Sequence, residues 1–226
     1  AGLEPTRDYF YRFHSGGATS PVGRARTLPA PGAQVAQIRF ASAGCQEWEG
    51  GHYTAWKGIA DEALDFVCHY GDYIYEYGSD PAKFGNTDAV ALNRVTSPAN
   101  DIVTLDDYRT RYALYRSDPA LQALHAAIPW ITVWDDHEFA NNAWVDGAEN
   151  HNSVTQGSWA TRKAIAARVY HEWMPIRTPD VNNLFKIYRR FDFGNILTLH
   201  MVDTRIEGRD KQYDAYGDAD GGISRY

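Results

Sequence analysis

An apolar, β-prone run that stops on a Gly-Asp step constrains this chain more than any other feature: Phe66-Val67-Cys68-His69-Tyr70-Gly71-Asp72-Tyr73-Ile74-Tyr75-Glu76-Tyr77. In open α/β sheets ligands bind beyond the carboxyl ends of strands, and Gly71 permits the sharp backbone turn needed there. Asp72 and Tyr75 then share one short loop, where a carboxylate and a phenol can hold a hard metal ion. The competing reading makes Asp72 a turn former that accepts backbone N–H bonds and Tyr75 an ordinary aromatic. A second stretch repeats the design: Trp130-Ile131-Thr132-Val133-Trp134, then Asp135-Asp136-His137-Glu138. Two acid-ended strands in one domain point to a metal-dependent hydrolase.

Burying four adjacent ionisable groups unpaired is costly, so the second cluster needs a cation, a network or water. Strand alternation sends Asp136 and Glu138 away from Asp135 and His137, so not every member is expected to reach one site. A hydrolase would use one acid as a ligand and His137 as a proton donor or phosphate contact. The plain alternative is a solvated strand end, with Asp135 capping the next helix. Cys45 follows the first strand, level with the other strand ends if the sheet is parallel. As a thiolate it can bind a metal, although spacing alone favours a buried or disulfide-bonded cysteine. Cys68 lies inside a strand and is expected to pack there. His125 is expected to face solvent from a helix. His171, Asn141 and Asp203 are lesser candidates, Asp203 as a supporting group or a partner of Thr204 or Arg205.

The organisation is strand–helix alternation behind a short β segment. Residues 9–13 and 22–28, separated by Ser15-Gly16-Gly17, predict a β-hairpin, and Pro29-Ala30-Pro31-Gly32 predicts a linker. Because a lone hairpin is marginal, residues 1–32 read as the end of a β-domain, and 33–226 as a second unit. Strands are expected over 35–41, 66–70 and 130–134, with helices from 54 to 64, after Thr104, after Asp118-Pro119 and after Ser158. The third-from-last of these helices should bury Tyr108, Tyr112 and Tyr115, and the last Trp159, Ile165, Val169 and Trp173. Residues 185–193 and 195–202 predict a hairpin turning at Gly194. The loop 78–103 is long enough to suggest a functional role. The polar stretch 203–226 fails the calcium-loop spacing and reads as solvated; the chain looks truncated.

At 226 residues with 44% hydrophobic and 14% aromatic content, the chain can bury a sizeable core. A net charge of −7 without a dense Lys/Arg block disfavours duplex nucleic acid as a partner. No apolar run approaches the ~20 residues of a transmembrane span.

These motifs together resemble the alkaline phosphatase D family of metallophosphoesterases, whose relatives include an iron-dependent phospholipase D. The matching blocks are Ser20-Pro21-Val22-Gly23-Arg24 with Arg26-Thr27, then Cys45-Gln46, then Gly71 to Tyr77. They continue through Leu105-Asp106-Asp107-Tyr108-Arg109, Arg111-Tyr112-Ala113-Leu114-Tyr115-Arg116-Ser117-Asp118, and Trp134-Asp135-Asp136-His137-Glu138 with Asn141-Asn142. The resemblance implies a calcineurin-like α/β sandwich of mixed sheets flanked by helices, preceded by a small β-sandwich domain. It implies a ferric ion (Fe3+) beside calcium (Ca2+), with Cys45 and Tyr75 as iron ligands and Asp72 as the bridging carboxylate. Asp136 becomes the calcium-side ligand, and His137 contacts the phosphate or protonates the leaving group. The expected activity is hydrolysis of a small phosphoester by a metal-activated hydroxide or oxide, in a secreted or periplasmic protein. The family's later aspartate and histidine ligands have no match after Asp203, so the missing half belongs to a longer chain or to a second polypeptide. Rival functions are a phospholipase D acting on phospholipids, a non-catalytic calcium-binding module, and an iron oxidoreductase, the last disfavoured by the lack of a His-rich ligand set.

Overall fold

The computed structural model describes residues 2–79 and 88–212. At its centre three parallel strands, β5 (Phe40–Ala43), β6 (Phe66–His69) and β7 (Trp130–Thr132), run in the order β5-β6-β7. β6 is buried along its whole length, as a central parallel strand covered on both faces should be. Because all three strands run the same way, their carboxyl ends open on one edge of the sheet.

Ahead of the sheet, β1 (Asp8–Tyr11) pairs antiparallel with β4 (Gly23–Arg26), and the two enclose the short pair β2 (His14–Ser15) and β3 (Ala18–Thr19). Gly16 and Gly17 supply the positive φ of the tip. Arginines tie the hairpin to the body: Arg26 pairs with Asp65 and Arg24 donates to the Leu64 and Ala127 carbonyls, while Asp8, within the hairpin, accepts from both arginines at 3.0 Å. Behind β5, the expected strand over 35–41 begins only at Phe40. Residues 33–35 are instead drawn to a later turn, where Ala33 and Val35 share Asn195 as a hydrogen-bond partner. The strands expected over 66–70 and 130–134 end at His69 and Thr132, where the backbone leaves the ladder to form the site loops.

One face of the sheet carries α1 (Thr54–Ala60) and α3 (Pro119–Ala127); the paired helices α2 (Leu105–Arg116) and α4 (Trp159–Trp173) complete the core. On the other face lies the hairpin β8 (Arg189–Phe193) and β9 (Leu197–Met201), turning at Gly194 as expected. Phe193 stacks on Phe66 at 4.8 Å, and the Met201 and Cys68 sulfurs meet at 3.9 Å. Both cysteines are free thiols. Thr104 and Asp107 close a reciprocal capping box at the start of α2, and Asp118 caps α3 with proline in its first turn. Each satisfies N–H groups that a helix start leaves orphaned.

Two helix faces differ from the pattern. α2 buries Tyr108, Tyr112 and Tyr115 as expected, but also Arg111, which is wholly buried. Its guanidinium donates to the carbonyls of Ser97 and Pro98 and to those of Tyr75 and Tyr77. α4 buries Trp159 and Val169 as expected, but Arg162, Ala166, Ala167 and Tyr170 join them, while Ile165 and Trp173 are half-buried. The small alanines allow close packing, and the polar ends of Arg162 and Tyr170 find partners in Ile102 O and Thr132 Oγ1. No helix among the described residues is long and apolar enough to cross a membrane.

His125 does not face solvent. Its ring stacks on Trp130 at 3.9 Å and its Nε2 meets the Tyr73 hydroxyl at 2.9 Å. His69 sits beside it in a box formed by Trp56, Tyr73 and Trp130. Burial pulls His69 down to about 3, so the folded protein keeps it neutral. Unfolded chains bind that proton near pH 6.5, so acidification below this value favours unfolding until about pH 3. Urea unfolding of wild type and His69→Phe at pH 6.5 and 5.0 should show the wild type losing on the order of 1–2 kcal/mol more than the variant. Equal losses contradict a neutral buried His69.

Candidate metal centre

The three strand ends meet as backbone before they meet as side chains. Gly71 has φ +114°, and a Cβ there would lie 2.3 Å from the Asp135 amide nitrogen, so the loops after β6 and β7 touch through glycine. Cys45 N donates to Gly71 O at 3.1 Å, and Gln46 N to Asp72 O at 3.0 Å, stitching the loop after β5 to the same point. Cys45 (φ 56°) and Asp72 (φ 53°) both occupy the left-handed region, a strained choice for residues with side chains that surrounding structure must enforce.

Glu138 does much of that enforcing. Its Oε2 accepts from Asp72 N at 3.1 Å and Asp135 N at 2.8 Å, and its Oε1 accepts from Tyr73 N at 2.6 Å. One buried carboxylate therefore pins the loops after β6 and β7 together. Burial, then the nearby Asp72 charge, pushes Glu138 up to about 8 against the pull of these three donors.

Around Asp72 the donor groups converge. The Cys45 thiol donates to Asp72 Oδ2 at 3.2 Å, and the Tyr75 hydroxyl approaches the same oxygen at 3.4 Å. Asp72, Asp136 and His137 each offer one ligand atom, and these lie within 4.8 Å of one another. Cys45 is exposed, yet partial desolvation and the Asp72 contact push it up to about 11, and burial also raises Tyr75 and Asp72 above their usual ranges. Ionising such a set together needs a compensating positive charge. Sulfur, phenolic oxygen and carboxylate at one point suit a trivalent iron, and the Asp72–Asp136 side offers the oxygen donors a hard divalent ion prefers. The residues present fit both metals.

Asp136 and His137 are both held from behind. Asn142 N donates to Asp136 Oδ2 at 2.5 Å, and Arg205 Nη2 lies 3.1 Å from Asp136 Oδ1. His137 Nδ1 contacts Glu76 Oε2 at 2.6 Å, while Glu76 Oε1 takes Asn141 N and Asn150 Nδ2. Tyr75 and Tyr77 flank the His137 ring at 4.2 and 5.4 Å. Desolvation alone would lower His137, but the Glu76 contact and the charges of Glu76, Asp136 and Asp72 outweigh it and raise it to about 9.

Cys45, Asp72, Tyr75, Asp136 and His137 are thus gathered into one neighbourhood. The alternation expected for residues 135–138 fails: Asp136 and His137 reach the same site, while Glu138 turns to the backbone. Residues 133–140 have left the strand and curl, with Phe139 N and Ala140 N donating to Asp136 O, so period-two geometry no longer applies. Asp135 caps no helix; it pairs with Arg205. Asn141 and Asn142 act through their backbone amides, and Asp203 accepts from Arg205 N and Ile206 N. His171 is held by Thr178 and Leu184 and belongs to packing. Sequence reasoning missed the roles of Glu76, Glu138, Arg111 and Arg205. The glutamates carried a signal, as acids inside the motifs; the arginines carried none. Of the polar stretch 203–226, residues 213–226 lie outside the described residues.

Comparison with known proteins aligns residues 40–223 with the PhoD-like phosphatase model and residues 1–29 with that of the PhoD-like phosphatase N-terminal domain. Alkaline phosphatase D of Bacillus subtilis (strain 168) is 46% identical over 215 residues, which are 93% of this chain and 35% of that protein. A solved structure of PhoD superposes with a TM-score of 0.82 at 46% identity, covering 93% of this chain and 39% of that one. The chain spans little more than a third of the length of these relatives.

Glu138→Gln puts an amide where three N–H groups need acceptors. Chemical denaturation should show a loss of about 2–3 kcal/mol, the cost of stranding a buried donor. A variant as stable as wild type contradicts the clamp.

Proposed function

The chain belongs to the PhoD-like phosphatase family, and from that premise we propose that it forms part of a metal-dependent phosphoester hydrolase whose centre is built on Asp72. The observation that carries this reading is the meeting of Cys45 and Tyr75 on one oxygen of Asp72, beside Asp136 and His137. In this reading residues 1–32 end an N-terminal β-domain and 33–226 begin the catalytic domain, and the substrate is a small phosphoester. In the same reading the protein acts in a secreted or periplasmic setting.

Cys45, Asp72 and Tyr75 would hold a ferric ion, and Asp72 and Asp136 would hold calcium. When bound, these ions polarise the phosphoryl group and supply the nucleophile at neutral pH. The chain's own residues do the rest. Asp72 sets the spacing of the site through its enforced left-handed backbone. Glu76 fixes the His137 ring by its Nδ1, leaving Nε2 toward the ligand atoms, 4.0 Å from Asp136 Oδ2. Held so, His137 carries a proton at Nε2 that it can pass to the departing alkoxide. Tyr75 and Tyr77 restrict the ring from tilting away.

Two measurements test the reading. Elemental analysis of the full protein should find iron and calcium, with a visible thiolate- or phenolate-to-iron band, and Asp72→Asn should lose both metals together with hydrolysis of monoester and diester substrates. A colourless iron-loaded protein, calcium without iron, or an Asp72→Asn variant that keeps its metals counts against it. For the proton donor, His137→Ala should slow alkyl phosphates by about 10²-fold or more while sparing p-nitrophenyl phosphate, whose leaving group needs no proton. Equal losses on both substrates would remove His137 from that role.

A further inference from the structure

Arg205 reaches the site from the segment that follows β9. It follows β9 in a turn that Asp203 closes by accepting from Arg205 N at 2.7 Å and Ile206 N at 2.8 Å, with Ile206 buried as the anchor. The guanidinium grips Asp135 at two points, Nε to Oδ1 at 2.5 Å and Nη2 to Oδ2 at 3.1 Å. The same Nη2 lies 3.1 Å from Asp136 Oδ1. Arg205 is therefore shared unequally: Asp135 takes the two-point contact that a planar fork prefers, and Asp136 takes a single edge.

The charge of arginine is permanent in proteins, and the side chains of Arg205 and Asp136 are only 17% and 6% exposed. Solvent and salt screen such a pair weakly. A divalent ion on Asp136 thus meets a fixed cation already resting on the same carboxylate. We infer that Arg205 is a built-in counter-cation that lowers the affinity of the Asp72–Asp136 side for its divalent ion, and that Asp135 restrains it from occupying Asp136 fully. This inference rests on the metal reading proposed above and adds two positioning residues to it.

The two residues then act with opposite sign. Without Arg205, Asp136 and Asp135 present unopposed negative charge to a divalent ion. Without the Asp135 charge, the guanidinium is released to take Asp136 by two points and compete more strongly. A merely structural pin behaves otherwise, since cutting either end loosens Asp136 and weakens binding in both cases.

Calcium titration of the full protein by calorimetry distinguishes these accounts without reference to turnover. Arg205→Gln should bind Ca2+ at least about tenfold more tightly than wild type and Asp135→Asn at least about tenfold more weakly, a floor for a charge a few ångströms away at partial burial. Arg205→Lys, which keeps the charge, should stay within about threefold of wild type. If Arg205→Gln fails to fold, Asp135→Asn and Arg205→Lys carry the comparison, and an unchanged affinity in Asp135→Asn overturns the inference. Variants that both weaken binding, or both leave it unchanged, also overturn it. A wild type that binds no Ca2+ removes the metal reading itself, whereas binding without the opposed signs removes this inference alone.

Discussion

Everything at this end of the sheet depends on one buried carboxylate accepting from three backbone amides. Glu138 joins the loops after β6 and β7 through Asp72 N, Tyr73 N and Asp135 N. A parallel sheet aligns strand ends only to within a residue or so. The clamp and the Gly71 contact then fix the loops at hydrogen-bond precision, so that Asp72 can hold an unfavourable backbone conformation. A carboxyl group spent on the backbone is unavailable as a ligand, which is why the last acid of the cluster supports the site instead of joining it.

The electrostatics follow the same division between holding and ligating. Glu76, Glu138 and Asp135 serve as supports, facing His137, amides and Arg205 respectively. Asp72 and Asp136 instead turn toward each other and His137, with one ligand atom of each within 4.8 Å of the others. Beneath them the wholly buried Arg111 binds the carbonyls on either side of Glu76, and Arg162 binds Ile102 O and Asn150 O. Among the described residues neither forms an ion pair with a carboxylate. Their hydrogen bonds to peptide oxygens offset part of the desolvation cost of a buried charge, and each gathers irregular backbone that lacks ladder partners. The loop 88–103 and the segment after Asp72 are ordered by cations drawn from helices rather than by secondary structure of their own.

Much of this was legible in the sequence because it depends on local rules. The apolar run 66–69 reads as a buried strand, Thr104 and Asp118 are strong helix starts, and the Gly-Asp step marks where the chain leaves the sheet. The family resemblance brought Cys45 into the set, which spacing alone did not. What stayed hidden was non-local. His125 was hidden because its helix position says nothing about Trp130 and Tyr73. The partners of Arg111 and Arg205 are carbonyls and acids tens of residues away. The alternation expected for residues 135–138 failed since it assumed an extended strand where the chain already curls.

The central claim is that Cys45, Asp72 and Tyr75 share one iron. X-ray absorption at the iron edge of the full protein reads the donor atoms directly. The account predicts a shell containing one sulfur with the rest light atoms, and the loss of that sulfur in Cys45→Ser. A shell of oxygen and nitrogen alone, unchanged by Cys45→Ser, would contradict it.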